Sequence, residues 1–433
     1  MRKFGCVTLG CRLNQCESDA LIGQFLEQGF TLVEDGKNAL DVYIINTCAV
    51  TARGEQKSRQ AVSRAQREHP EALIIVTGCA IEENQEQFPR GAKVLFVDNN
   101  RKHALVAIAL QALNAQHGSA LETPLAAVDP DRFAYSPARS PRHTRAGLKV
   151  QDGCDNRCTY CIVPRVRGKA QSRPLADCCR AARELLALGY REIVLTGVNL
   201  QQYRDPESGA GLDALITQLL DLEGDYRLRL SSLEAEAGGM AARIARLFGH
   251  ERLCSNLHLC LQSGSDRILA AMGRRYRAGD CLELCTALRG RERFFTITAD
   301  IIVGFPGEDD QDFADTLALV RQASITHVHA FPFSARTGCP AGDLTPKLSK
   351  TEMRERMREL RRAADQNRAA FLQSLIGAKE RVLIEKITPD GSASGYGRLY
   401  IPITLRGGRF AHNTFADCTI IGHTETGLDA DPL

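Results

Sequence analysis

Three cysteines stand close together in the stretch GCDNRCTYCIVPRVRG, at Cys154, Cys158 and Cys161. The stretch follows a predicted strand, LKVQ, so the three thiols lie on a loop at a strand end. Cysteine thiolates hold iron–sulfur clusters, and three of them leave one iron of a four-iron cluster free to bind a small molecule. A zinc ion would instead require a fourth protein ligand, for which His143 is the nearby candidate. The spacing favours an iron–sulfur cluster with one open iron, with zinc as the alternative.

A second set of cysteines is spread over the N-terminal part of the chain. Cys11, Cys48 and Cys79 each stand one or two residues beyond the end of a predicted buried strand. Parallel strands end at one edge of their sheet, where ligands bind, so these thiols are expected to converge. Gly10 and Gly78 precede two of them and allow a bulky group to approach the backbone. The pattern predicts a second iron–sulfur cluster; the alternative is three buried core thiols.

The other cysteines have simpler interpretations. Cys16 competes with Cys11 as a ligand, but a helix should already have begun there. Cysteine is a common buried residue, which accounts for the following positions: Cys6, Cys178, Cys179, Cys254, Cys281, Cys285 and Cys418.

Composition restricts the class of protein. The chain has 16 cysteines in 433 residues and a formal net charge of +3. This length exceeds that of small disulfide-stapled folds, so the cysteines indicate metal binding or redox chemistry in a reducing compartment. No apolar run approaches the roughly 20 residues needed to cross a bilayer, and the N-terminus lacks the apolar region of a signal peptide. A cytoplasmic protein without a membrane partner is expected.

The first block of the chain alternates strands and helices. Residues 1–115 contain the predicted strands FGCVTL, VYIIN, LIIVTG and KVLFV, with helices at residues 17–28, 52–68 and 101–115. Such alternation predicts an open parallel sheet covered by helices. Residues 116–145 carry several prolines and no clear period, which is typical of a linker.

Two further units follow the linker. Residues 146–375 contain six strand candidates, and six strand–helix units predict a partial, open (β/α)6 barrel that a long helix at 349–375 completes. Residues 376–433 have glycine-rich turns and little helix, which predicts a small antiparallel β-barrel. The predicted fold class is α/β with three units. The six strand candidates are LKVQ, EIVLTG, YRLRLSS, SNLHLCL, FTITADIIVG and HVHAFPF.

Several motifs together resemble a known family. The loop GCDNRCTYCIVPRVRG is similar to the cluster-binding loop of the radical S-adenosylmethionine superfamily. TLGCRLNQCESD, INTCAVTARGEQKSRQ, TGCA, LTGVNLQQY, LHLCLQSGSDRILAAMGRRY, ADIIVGFPGE and HVHAFPFSARTGCPAGDL resemble the methylthiotransferase family in order along nearly the whole chain. The tail resembles the TRAM domain, a small RNA-binding β-barrel.

The resemblance implies an enzyme with two 4Fe–4S clusters and S-adenosylmethionine. Cys154, Cys158 and Cys161 would hold the radical cluster, and Cys11, Cys48 and Cys79 an auxiliary cluster. An electron donor such as a flavodoxin or ferredoxin would be a partner. The resemblance also implies cofactor contacts, each of which is equally compatible with a buried polar position of the barrel: Tyr160, Thr196, Gly197, Glu234, Gln262, Ser263, Asp300 and Gly304.

The family divides by substrate. Its members act on adenosines beside the tRNA anticodon that carry a threonylcarbamoyl or an isopentenyl group, or on an aspartate of a ribosomal protein. TLGCRLNQCESD and HVHAFPFSARTGCPA look most like the threonylcarbamoyl branch, which implies sulfur and methyl insertion at C2 of that adenosine. Arg165, Arg167 and Lys169 are candidates for tRNA phosphate contacts. Arg336 is a candidate partner for the threonyl carboxylate, with a surface arginine as the alternative.

Two positions depart from the family pattern. Cys260 stands where the family often has proline, and Cys339 where it often has threonine. Both are interpreted as tolerated substitutions, since thiol reactivity depends on exposure. The alternative to an enzyme is a non-catalytic protein that binds zinc and RNA through the same cysteines. DNA is not an expected partner.

Overall fold

The computed structural model describes residues 2–34, 39–114, 131–135, 143–236, 239–345 and 348–433. Most of the predicted linker, residues 116–145, lies outside these ranges. The domain boundaries themselves stay a prediction. No helix in the described ranges combines the length and apolar character needed to span a bilayer.

The N-terminal part is a five-stranded parallel sheet with helices on both faces. Its strands, β1 (Lys3–Thr8), β2 (Thr31–Leu32), β3 (Val42–Thr47), β4 (Leu73–Gly78) and β5 (Val94–Val97), have the order β2-β1-β3-β4-β5. The helices are α1 (Arg12–Glu27), α2 (Ala52–Glu68), α3 (Cys79–Asn84) and α4 (Leu105–Asn114), with 3-10 turns at Gln85–Gln87 and Lys102–Ala104. Strands covered on both sides are continuously apolar, which is why β3 and β4 were readable from the sequence.

The central part is an open half-barrel of six parallel strands. Its elements begin with β6 (Arg145–Lys149), a short antiparallel pair β7 (Gln151–Asp152) and β8 (Gln171–Ser172), then β9 (Glu192–Thr196), β10 (Arg227–Leu230), β11 (Asn256–Gln262), β12 (Thr296–Val303) and β13 (His327–Pro332). The strands form two three-stranded sheets, β10-β9-β6 and β11-β12-β13. Single parallel bridges from Leu228 to Leu253 and from Leu233 to Leu259 connect them. The predicted partial barrel is confirmed.

Helices connect and flank the strands of the half-barrel. They are α5 (Val163–Arg167), α6 (Leu175–Ala187), α7 (Leu212–Leu220), α8 (Gly239–Ala245), α9 (Asp266–Ala271), α10 (Ala278–Arg289), α11 (Asp310–Gln322) and α12 (Lys350–Ser374), with a 3-10 turn at Leu200–Gln202. Ser349 caps α12 by accepting from the Glu352 amide, and Glu352 returns the bond, so the predicted start of this long helix is confirmed. Helices α5, α7 and α9 are absent from the sequence prediction. Helix α1 begins at Arg12, earlier than the predicted Glu17.

The C-terminal part is a closed five-stranded barrel in the order β14-β15-β16-β18-β17. Its strands are β14 (Lys379–Ile387), β15 (Ala393–Tyr396), β16 (Pro402–Leu405), β17 (Phe415–His423) and β18 (Leu428–Pro432). The small barrel is as predicted, except that β16 and β18 pair in parallel. A closed ring with an odd number of strands cannot alternate direction throughout, so one parallel pair is unavoidable.

Buried ion pairs join this barrel to the half-barrel. Glu192 is fully buried and accepts from Arg227 Nε at 2.6 Å and from Arg229 Nε at 2.7 Å. The same guanidinium groups donate to backbone carbonyls of the C-terminal barrel, such as that of Tyr396. Tyr400 lies under three guanidinium groups, with ring-centre distances of 4.7 to 5.1 Å; they belong to Arg12, Arg145 and Arg229.

The N-terminal sheet contacts the half-barrel through α1. This helix packs along β6, so close that a Cβ added to Gly147 would lie 2.7 Å from the Cys16 sulfur. Cys16 therefore faces β6, and burial raises its pKa to about 12. The helix that brings the N-terminal cysteines to the half-barrel thus covers its first edge strand.

Candidate functional site

Neighbouring strands carry the first cysteine triad. Cys48 follows β3 directly, Cys79 follows β4 directly as the first residue of α3, and Cys11 caps α1 three residues after β1. Strands β1, β3 and β4 are adjacent in the sheet, so their carboxyl ends meet at one edge. Cys48 and Cys79 are buried, whereas Cys11 is exposed. The predicted convergence is what the strand order produces.

The backbone beside this triad is shaped for close approach. Gly10 has a φ of +104°, and a Cβ there would lie 2.7 Å from the Cys48 sulfur. Gly78 has a φ of +98°, and a Cβ there would lie 2.4 Å from the Thr47 carbonyl oxygen. Only glycine combines this conformation with this clearance.

The electrostatics of the triad favour a cationic group between the sulfurs. Burial, together with the neighbouring Cys11 and Cys79 sulfurs, raises the pKa of the Cys48 thiol to about 11. Thiols must lose their protons to bind metal, and the resulting thiolates repel one another. Positively charged iron would relieve this repulsion. The Val50 amide also donates to Cys48 Sγ at 3.5 Å. These residues fit an iron–sulfur cluster.

A single zinc ion fits less well. Across the described ranges, no three His, Cys, Asp or Glu side chains are arranged to hold one metal ion. A four-iron cluster needs no such gathering, because each thiolate binds a different iron. His143, the candidate fourth zinc ligand, lies instead near Gln15 and Asp19 of α1.

The second triad lies on a loop after β7. Cys154 receives a hydrogen bond from the Asn156 amide at 3.4 Å, and the Cys161 amide donates to the Cys158 carbonyl at 3.1 Å. Gly153 has a φ of +71° and no room for a Cβ, which would lie 2.0 Å from the Lys169 carbonyl oxygen. Burial and the other cysteines raise the pKa of Cys161 to about 12. The loop is therefore held tightly, with its thiols close enough to interact.

An arginine that the sequence prediction missed supports this loop. Arg274 Nη1 donates to Cys158 Sγ at 3.2 Å and lies 3.2 Å from Glu234 Oε1. Glu234 also accepts from Asn156 Nδ2 at 2.6 Å. Glu234 was predicted as a cofactor contact, and in this structure it holds Arg274 and the cysteine loop. Arg274 belongs to the motif MGRRY, for which the sequence predicts no individual role.

Three other predicted cofactor residues, Tyr160, Thr196 and Gly197, have protein neighbours in this structure. Tyr160 packs against the buried cluster that includes Met272 and Phe305. Thr196 is buried and donates from Oγ1 to the Val194 carbonyl at 3.0 Å. Gly197 lies against Gln151, 3.0 Å from where its Cβ would be.

Gln262, Ser263 and Gly304 occupy strand ends on the other side. Gln262 has a φ of +68°, an unusual conformation for a residue with a side chain. Ser263 is buried; its hydroxyl lies 3.3 Å from that of Thr316 and accepts from the Ser265 amide, and its role as a cofactor contact stays a prediction. Gly304 packs against Met353 of α12.

Histidines line the concave face of the half-barrel. On β11, β12 and β13 the side chains of one face join the helix-covered core, and those of the other are more open. His258 lies on the open face, 2.8 Å from Thr298 Oγ1 and 3.2 Å from Asp300 Oδ1. His329 lies 5.5 Å from the His258 ring and 4.5 Å from the His327 ring. Partial burial and the neighbouring histidines lower the pKa of His329, which favours its neutral ring.

The predicted RNA-binding residues divide into exposed and buried. Arg165 and Lys169 are exposed, and Arg165 donates to the Thr337 carbonyl at 3.1 Å and to Glu83. Arg167 is 3% exposed, so its prediction as a phosphate contact is wrong. Its guanidinium pairs with Glu17 and Asp152 inside the protein. Its role must therefore be internal.

Arg336 is also buried, so the alternative of a surface arginine is wrong. It is 6% exposed and donates from Nη2 to Glu55 Oε2 at 2.7 Å. Within the described part of the chain its Nε has no hydrogen-bond partner. Burial raises the pKa of Cys48, and the positive charge of Arg336 partly opposes this rise, so Arg336 lies near the first triad.

The two departures from the family pattern are a buried thiol, Cys339, and a half-buried one, Cys260. Cys339 is 3% exposed and packs with Ile162, Val166 and Cys79. Burial raises the pKa of Cys260 to about 12. A buried protonated thiol is a weak nucleophile, which agrees with tolerated substitutions.

Two parts of the chain match known protein families. Residues 3–97 match the group described as Uncharacterized protein family UPF0004, and residues 148–320 match the Radical SAM superfamily. The fold is similar to that of the radical S-adenosylmethionine methyltransferase TsrM from Kitasatospora setae, solved with cobalamin and a 4Fe–4S cluster bound. The TM-score is 0.54 at 14% identity, covering 79% of this chain and 77% of that one. The half-barrel with its cysteine loop is therefore that of a radical S-adenosylmethionine enzyme.

Curated relatives narrow the class. A protein named threonylcarbamoyladenosine tRNA methylthiotransferase MtaB from Thermotoga maritima is 35% identical over 93% of this chain and 91% of its own. The protein of that name from Bacillus subtilis is 32% identical over 83% of this chain and 79% of its own. A tRNA-2-methylthio-N(6)-dimethylallyladenosine synthase from Sphingopyxis alaskensis is 30% identical over 100% of this chain and 98% of its own. The chain belongs to the radical S-adenosylmethionine methylthiotransferase family.

Proposed function

We propose that this enzyme inserts sulfur and a methyl group at C2 of N6-threonylcarbamoyladenosine beside the anticodon of tRNA. The substrate assignment rests on the 35% identity, over 93% of the chain, to a relative named threonylcarbamoyladenosine tRNA methylthiotransferase. The relative named for the dimethylallyl nucleoside, at 30%, supports the alternative substrate. A buried guanidinium near the first triad, that of Arg336, suits a substrate with a carboxylate.

We propose two iron–sulfur clusters as cofactors, one on each triad, together with S-adenosylmethionine. Bound to this chain, these groups would supply one-electron cleavage of a sulfonium bond, the sulfur and the methyl group. The protein holds the irons through Cys154, Cys158 and Cys161 and through Cys11, Cys48 and Cys79. The clearance at Gly10 and the hydrogen bond from Arg274 to Cys158 support these assignments. A flavodoxin- or ferredoxin-type protein is the proposed electron donor.

The concave face of the half-barrel is the proposed entrance for the target base. His258, Asp300 and His329 lie on this face, and Phe331, 42% exposed, continues the row on β13. Unstacked RNA bases are bound by stacking on aromatic and histidine rings. Exposed Arg165 and Lys169 are available for phosphate contacts beside the cysteine loop.

Mass spectrometry of nucleosides from bulk tRNA tests the substrate. Cells lacking the gene should lose the methylthio form of threonylcarbamoyladenosine and accumulate its precursor. Loss of the methylthio group from the isopentenyl nucleoside alone would move the assignment to the other tRNA substrate. Unchanged tRNA would direct attention to a ribosomal-protein aspartate or to a zinc- and RNA-binding role.

Triad variants of the full chain test the two clusters. The wild-type protein should contain about eight irons, and replacing either triad by alanine should leave about four. The variant without Cys11, Cys48 and Cys79 should still cleave S-adenosylmethionine but transfer no methylthio group. Replacing the buried Cys254, which belongs to neither triad, is the matched control and should leave iron content unchanged.

A further inference from the structure

Arg167 forms a buried contact with a cysteine of the first triad. Its Nε donates to Cys79 Sγ at 3.1 Å. Its other nitrogens donate to Asn14 Oδ1 at 2.8 Å, to Glu17 at 3.0 Å and to Asp152 at 3.0 Å. The guanidinium is therefore held by three side chains and directs its remaining N–H at a sulfur.

Arg167 belongs to a buried group of charges. Lys102 Nζ lies 2.6 Å from Glu17, and Lys149 Nζ lies 2.7 Å from both Glu17 and Asp152. Each of these five residues is 5% exposed or less. Among these five residues three cations face two carboxylates, and Glu82 is a further carboxylate near Lys102 and Arg167.

The Arg167 guanidinium in this group also contacts a cysteine sulfur. Buried charges are paired or bind metals, because an isolated one is strongly disfavoured. Arg167 Nε donates to the Cys79 sulfur at 3.1 Å, and a cysteine sulfur bound to a cluster is an anionic thiolate. The group is therefore complementary to a negatively charged cluster on Cys79.

The contact also crosses between the two halves of the site. Asn14 and Glu17 lie on α1 of the N-terminal sheet, whereas Asp152 and Arg167 belong to the half-barrel. Arg167, the cation that contacts the first triad, therefore comes from the half-barrel, which carries the second triad.

We propose that Arg167 is a positioning residue that sets the reduction potential of the auxiliary cluster through its contact with Cys79. The inference rests on the proposed function, because it requires a cluster on the first triad. Hydrogen bonds to cysteine sulfur and nearby positive charge favour the reduced, more negative cluster and raise its potential. Arg274 has the same relation to Cys158 of the other triad.

Potentiometric titration of the full, reconstituted two-cluster protein, followed by electron paramagnetic resonance, tests this proposal. Arg167→Lys keeps the charge but cannot direct a planar fork of donors at four acceptors. Its auxiliary midpoint potential should fall, with the radical cluster unchanged. Arg274→Lys is the matched control and should shift the radical cluster alone.

The sign of the shift separates electrostatics from structural damage. Glu17→Gln removes a negative charge from the group at nearly constant shape, so the auxiliary potential should rise. Lys102→Met removes a cation without touching the sulfur and should lower it, which covers the case in which Arg167→Lys does not fold. Unchanged auxiliary potentials in these variants, equal shifts of both clusters, or shifts of one sign throughout would overturn the proposal. A wild-type protein with only about four irons would instead refute the proposed auxiliary cluster.

Discussion

Arg336 and Glu55 form a buried ion pair, with Nη2 of the arginine 2.7 Å from Oε2 of the carboxylate. It connects the segment after β13 to the helix that follows Cys48. The same arginine was predicted from its motif to bind the threonyl carboxylate of the substrate. Experiments can distinguish a structural role of Arg336, through its pair with Glu55, from a contact with the substrate.

Arg336→Met should lower the free energy of unfolding by about 2 kcal/mol, because the Glu55 carboxylate loses a buried donor. Urea denaturation measures this change. The double variant with Glu55→Gln should regain most of the stability, since neither residue is then charged. If Arg336 reads the substrate, KM for threonylcarbamoylated tRNA stays raised in the double variant. A stable double variant with the wild-type KM would limit Arg336 to a structural role.

Gly10→Ala should reduce iron at the auxiliary site. Its Cβ would lie 2.7 Å from the Cys48 sulfur, so Cys48 must move. Gly29→Ala is the matched control, because Gly29 also has a positive φ of +77° but nothing within 4 Å of the added Cβ. The control should cost about 1 kcal/mol of backbone strain without loss of iron. Equal iron contents in the two variants would contradict the proposed location of the cluster.

Glu192→Gln should destabilise the protein in a pH-dependent way. Despite burial, Arg227 and Arg229 hold the pKa of Glu192 far below its ordinary value of 4.5. A depressed pKa means that its stabilisation is present above the unfolded pKa and is lost as pH falls below it. The difference in unfolding free energy between wild type and variant should therefore be full at pH 7 and shrink as pH falls below about 4.5. Chemical denaturation at several pH values measures it; a constant difference would contradict this account.

Tyr400→Leu should weaken the docking of the C-terminal barrel. Tyr400 lies under three guanidinium groups, whereas the ring of Tyr396 lies under that of Arg145 at 4.7 Å. Each cation–π contact contributes about 0.5–2 kcal/mol, so Tyr400→Leu should lower the unfolding free energy more than the matched Tyr396→Leu. Tyr400→Phe should retain most of the stability. An order of losses reversed between the two leucine variants would be inconsistent with the observed stacking.

The positions of the cysteines were predictable because they depend on local pattern and strand order. Apolar runs such as those of β3 and β4 identify buried parallel strands, and the edge where they end follows from the fold class. The loop of the second triad was readable from spacing alone. Both inferences needed only short-range information together with one topological rule.

The roles of the arginines were not predictable in the same way. Arg165 and Arg167 are two residues apart in one basic stretch, yet one is exposed and the other is buried. The short helix α5 turns them to different sides, and the carboxylate partner Glu17 lies 150 positions away in the sequence. Long-range pairing decides which arginine is internal. Ser263 shows the same limit, since its partner Thr316 lies on α11.

The close packing of α1 on β6 has a consequence for how the parts of this enzyme can be separated. An unpaired strand at the end of an open sheet is a template for association with other chains, and natural proteins cover it. Here the cover for β6 comes from the N-terminal sheet, at the contact between Cys16 and Gly147. An isolated half-barrel would therefore tend to aggregate through β6. The excised N-terminal sheet would expose the side of α1 that covers β6. Chimaeras between relatives should therefore exchange the two parts together.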